Sequence, residues 1–74
     1  MELVEGNKYK LTFKNGNSGI FTYTGIYSGS NYRCDACSKD RWETHWFLLG
    51  DVNNPTSSQK YGTECIKHIN IEAA

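Results

Sequence analysis

The stretch YGTECIKH, Tyr61 to His68, decides how this chain is read, because it sets a cysteine and a histidine three residues apart behind a glycine and a threonine. Thr63 has the chemistry of a helix N-cap, and Glu64 stands where a first-turn carboxylate complements the helix dipole. Ile66 and Ile69 recur at i, i+3, the spacing by which a helix buries one side. The stretch therefore predicts a short C-terminal helix, with Gly62 freeing the sharp turn into it and residues 70–74 fraying beyond it. On that helix Cys65 and His68 share one face of the first turn.

A second pair, in YRCDACSK (residues 32–39), supplies the other half of a constellation. Cys34 and Cys37 form C-x2-C, and after the interval 38–64 come Cys65 and His68 as C-x2-H. Zinc prefers four tetrahedral ligands, with cysteine thiolate and neutral imidazole among its favoured donors. A tight C-x2-C turn aims two sulfurs at one point, and a helix N-terminus favours thiolate over thiol at Cys65. The expected cofactor is thus one structural Zn2+ on Cys34, Cys37, Cys65 and His68. His45, between two tryptophans of an extended stretch, is the alternative fourth donor, and spacing favours His68. Two other readings compete: ordinary buried cysteines, and a dithiol redox motif, which needs a βαβ context that this pattern lacks.

With its CDAC turn, its RWETHWFLLG and SQKYG segments and its TECIKH entry, the layout resembles a treble-clef zinc finger. The YGTEC run is similar to the G-x-E-C helix entry of small bacterial and phage zinc proteins. The resemblance covers residues 32–72 and implies a knuckle carrying the first ligand pair, a β-hairpin, and a helix carrying the second. Ser38 departs from the pattern, standing where glycine commonly follows the second cysteine.

The remaining segments read as strands. KYKLTFK (8–14) alternates, with Tyr9, Leu11 and Phe13 on one face and Lys8, Lys10, Thr12 and Lys14 on the other. NGNSG (15–19) is a turn, and IFTYTGIY (20–27) a returning strand in which Gly25 marks a bulge or bend. SGSN (28–31) predicts another turn. RWETHWFLL (41–49) is extended, GDVNNPTSS (50–58) predicts a polar loop, and residues 59–61 a short strand. The expected fold is α+β: a small β-rich domain of about five short strands with a C-terminal short helix and a treble-clef-like zinc site. It forms one domain, 1–74, in which 1–31 are an N-terminal strand pair and 32–72 the zinc-binding knuckle, hairpin and helix. A small SH3-like or open-barrel arrangement is compatible with the strand pair.

Composition narrows the function. A chain of 74 residues buries a thin core, so a metal staple would help it. Lys and Arg number 8 against 8 Asp and Glu, so no overall basic charge points to nucleic acid. The opening MELVEGNKYKLTF has neither a basic n-region nor an apolar h-region, and no stretch approaches the ~20 apolar residues of a membrane span. With an odd number of cysteines, 3, the expectation is a reducing, cytoplasmic setting. The pattern holds no phosphate loop, no nucleophile context and no base paired with the ligands, so neither an enzyme nor a small-molecule substrate is expected. The first expectation is a protein partner docked on surplus aromatics; by analogy the chain resembles phage-encoded adaptors that modulate a host enzyme. The alternative is single-stranded nucleic acid, RNA or DNA, held along Lys8, Lys10, Thr12 and Lys14 and by Arg33, Lys39 and Arg41 around the knuckle, beside tyrosine or tryptophan such as Trp42 and Trp46.

Overall fold

In the computed structural model, which describes residues 2–74, every regular element but one is a β-strand. Met1, counted above in the N-terminal strand pair, lies outside the described residues. Strands β1 (Lys8–Thr12), β2 (Ser18–Arg33), β3 (Asp40–Asp51) and β4 (Asn54–Gly62) run as an antiparallel meander. Strand β5 (Asn70–Ala73) returns to the far side of β1, giving a five-stranded sheet in the order β4-β3-β2-β1-β5. The alternation in KYKLT works as expected: Tyr9 and Leu11 are buried while Lys8 and Lys10 stay in water. Phe21 and Tyr23 of β2, Phe47 of β3 and Tyr61 of β4 meet them on this inner face to form the core. Leu3, Phe13, Ile66, Ile69 and Ile71 pack around it.

A bulge in β2 decides what the outer face carries. Tyr23 pairs with Phe47 and Gly25 with Trp46, so Thr24 is an extra residue. Gly25 adopts φ +107°, a conformation L side chains resist. Inserting one residue reverses the in-out alternation beyond it. Tyr27, which would otherwise share the core face with Tyr23, is delivered to the side of Trp46, and their rings lie 5.2 Å apart.

The α+β expectation is corrected to all-β. Among the described residues no α-helix forms, and Cys65–His68 is a single 3-10 turn of 4 residues. The Thr63 hydroxyl does not cap it; it donates to Glu43 Oε1 at 2.7 Å. The cap position falls to Glu64, which makes no side-chain cap bond. By Ile69 the backbone is already extended, because residues 70–73 have a better use: they pair with β1, Leu11 opposite Ile71. The isoleucine spacing that suggested a helix is equally served by a 3-10 turn, where i and i+3 eclipse. With the helix goes the treble-clef-like element that was to carry the second ligand pair.

Three smaller expectations change too. Residues 28–31 are no turn but a register irregularity inside the continuous β2, between Ser28 and Tyr32. The loop 50–58 shrinks to Val52–Asn53, where the Asn53 N–H donates to Asp51 Oδ1 at 2.9 Å. Pro55 is tolerated in β4 because that strand lies at the sheet edge. Gly62 makes no positive-φ turn; it ends β4 with its α-carbon against Arg41, where an added Cβ would meet Arg41 Cγ at 2.9 Å.

Candidate metal centre

The connection from β2 to β3, residues 34–39, folds back over the free edge of β4. The Asp35 N–H donates to Lys60 O at 2.7 Å, and the Lys60 N–H donates to Asp35 Oδ2 at 2.7 Å. The Gly62 N–H donates to Cys34 Sγ at 3.3 Å. An edge strand's unpaired backbone is thereby covered, and Cys34 is fixed beside the end of β4. Within the knuckle the Ser38 N–H donates to Cys34 O, and the Cys34 N–H to Lys39 O, both at 2.9 Å. Ser38 holds φ +60°, the left-handed conformation that glycine adopts without cost, so the serine departure is accommodated by the backbone.

The 3-10 turn brings the third cysteine to the same point. The sulfurs of Cys34, Cys37 and Cys65 all lie within 4.8 Å of one another. Cys34 is buried, Cys37 and Cys65 are half-buried, and all are free thiols. Zinc–thiolate bonds of ~2.3 Å at tetrahedral angles separate sulfurs by about 3.8 Å, so the three donors suit a single metal ion.

Electrostatics point the same way. Arg41 Nη2 donates to Cys37 Sγ at 3.4 Å. That contact, helped by a hydrogen bond from the Lys39 backbone, lowers the Cys37 thiol to about 6, against an ordinary 9.0. Cys65 moves the other way, to about 11, because burial penalises its charge and hydrogen bonds with Cys37 and Cys34 favour its thiol. Without a cation the cluster holds one thiolate readily and resists the next. A bound divalent ion removes that conflict by deprotonating coordinating thiols outright.

The other predicted residues separate. His68 is exposed and stands outside the sulfur group, lining a groove with Asp35 and Ala36 of the knuckle and with Thr12, Phe13 and Tyr61. His45 is buried, its Nδ1 2.8 Å from the Tyr23 hydroxyl and its ring stacked on that tyrosine. Burial pushes its pKa down, with Glu43 opposing, and its ring nitrogen is held by Tyr23 outside the sulfur group. Lys8, Lys10, Trp42 and Trp46 lie on the outer face of the sheet; Lys14 is in the turn after β1, and Arg33 ends β2. Arg41, grouped with partner-contacting residues on sequence, is instead turned to Cys37, and its buried Nε has no hydrogen-bond partner among the described residues. Sequence offered no sign of this role, nor that Gly62 makes room for it.

Among the described residues no helix is long and apolar enough to cross a membrane. Comparison of the chain with protein-family models, curated proteins and solved structures finds no match.

Proposed function

We propose that this chain is a non-enzymatic binding module whose small β-sheet is stapled by one structural zinc ion. The observation that carries the reading is the convergence of Cys34, Cys37 and Cys65 from two separate connections onto one point. Three thiolates from the β2–β3 knuckle and the 3-10 turn would hold the ion, and it would tie both connections to the end of β4. We take His68 as the fourth donor: it follows Cys65 by three residues and lines a groove bounded by the knuckle, and its imidazole would turn into the sulfur group when the ion binds. With His68 turned in, four protein ligands would leave no open coordination position for a reacting water, and the metal's contribution would be folding free energy. Reduced thiols at this spacing suit a reducing compartment, and we assign the module to the cytoplasm.

The working surface is the outer sheet face, where Trp42, Tyr27 and Tyr32 remain exposed for a macromolecular partner. The test is elemental analysis of the purified chain beside Cys34→Ser, Cys37→Ser and Cys65→Ser. The reading requires one zinc per chain in the parent and its loss in each variant.

A further inference from the structure

We infer that the outer face of the sheet binds single-stranded nucleic acid, an assignment that rests on the binding-module reading above and names its partner. Strand register, not composition, carries it. Lys8 pairs with Thr22, which pairs with Leu48, and Lys10 pairs with Ile20; all point away from the core. One row along, Lys60 lies opposite Trp46, and Trp46 opposite Gly25. The Gly25 bulge then sets Tyr27 on this face at 5.2 Å from the Trp46 ring, while Tyr32 meets the same ring edge-on at 4.9 Å. Lys60 Nζ sits 4.9 Å over that ring. Trp42, two residues before the buried Thr44, extends the row and is 61% exposed.

An aromatic platform with ammonium groups beside it is the arrangement that holds single strands, since every base has a face to stack and every nucleotide a phosphate to neutralise. Zero net charge, which argued for a protein partner, misdescribes this face. Glu43 accepts from the Thr63 hydroxyl, Asp51 from the Asn53 N–H, and Glu64 pairs with Lys67 at 3.8 Å, while Asp35 accepts from the Lys60 N–H and keeps its charge beside this platform. Two acidic residues border these rows: Glu72, opposite Lys10 on β5, and Glu5, whose carboxylate lies against Gly25. Tryptophan and tyrosine serve protein interfaces as well, and it is the lysines in the same rows that favour a phosphate-bearing strand. The centre here is a tryptophan flanked by two tyrosines and a lysine.

The test uses the full zinc-loaded chain and fluorescein-labelled 12-residue oligo(dT) and oligo(rU), read by anisotropy from 50 to 200 mM salt. Three lysine–phosphate contacts predict a log–log salt slope of about −2, at about 0.7 per contact for single strands. Lys8→Glu with Lys10→Glu should reduce the slope to about −0.7, and Trp42→Ala or Tyr27→Ala should weaken binding about fivefold or more. Blunt duplex of equal length should bind more weakly than the single strands. Absence of binding at 50 mM salt, or binding indifferent to these substitutions, overturns the assignment. So does a protein ligand that occupies the face with no salt dependence. Zinc content measured on the same preparations keeps the two readings apart: a zinc-loaded chain that ignores oligonucleotides refutes the partner alone, and a zinc-free folded chain refutes the module.

Discussion

Arg41 reaches across the start of β3 to place Nη2 3.4 Å from Cys37 Sγ, so a fixed positive charge stands beside a cluster of three thiols. A zinc ion with three thiolates and an imidazole carries a net charge of −1, and the guanidinium is placed to offset it. Outer-shell partners of this kind are worth about 10–100-fold in metal affinity. Arg41→Ala should therefore weaken zinc by about tenfold in a chelator competition, with Arg41→Lys intermediate. In the metal-free chain the same change should move Cys37 up from about 6, read as slower alkylation at pH 7. Unchanged affinity and alkylation would show that the contact is incidental.

Gly62 and Arg41 form a coupled pair. A Cβ at position 62 would lie 2.9 Å from Arg41 Cγ, so Gly62→Ala must displace the guanidinium or the end of β4. The expected cost is about 1–3 kcal/mol, the usual range for overpacking. Because the clash is with one side chain, Gly62→Ala should cost much less in an Arg41→Ala background. A double-mutant cycle on urea unfolding reads this coupling, and simple additivity would contradict it.

Ser38 pays for the knuckle's shape with φ +60°. Left-handed backbone costs a non-glycine residue roughly 1–2 kcal/mol, and glycine's greater freedom in the unfolded chain returns part of that gain. Ser38→Gly should stabilise the protein by about 0.5–1 kcal/mol and raise Tm by several degrees, with zinc content unchanged. A fall in Tm would mean the Ser38 hydroxyl contributes more than the strain removes.

How much of this was legible in the chain differs by element. The two-residue alternation of KYKLT marked β1 and its buried Tyr9 and Leu11, since a half-buried strand leaves its period in the residue types. Gly25 marked its bulge for the same local reason. The convergence of the three cysteines was legible through ligand spacing, which depends on short turns, whereas the place of His68 outside the sulfur group was not. Strand β5 was not, because residues 70–73 become a strand only by pairing with β1, some sixty positions earlier in the chain, and the i, i+3 isoleucines before them fit a 3-10 turn as well as a helix. The role of Arg41 was equally hidden, because it depends on the close approach of β3 to the end of β4.

His45 gives a pH signature separate from the metal. Burial lowers its pKa below the ordinary 6.5, so above 6.5 the neutral ring contributes its full stability and binds the Tyr23 hydroxyl. As pH falls through the folded value, the unfolded chain takes up the proton more readily, and that stability is lost. His45→Gln should be less stable than the parent by about 1 kcal/mol at pH 7.5, through the lost buried hydrogen bond. The two melting curves should converge toward pH 5 while both proteins keep their zinc at neutral pH. Parallel curves, or zinc lost on replacing His45, would refute the core assignment.

Metal stoichiometry by native mass spectrometry of the chain purified without added metal decides whether the three cysteines hold zinc. The expected result is one zinc per chain, absent from Cys34→Ser, Cys37→Ser and Cys65→Ser, weakened in His68→Ala, and accompanied by a large fall in Tm when a chelator removes it. A zinc-free chain that melts at the same temperature with and without chelator would contradict it.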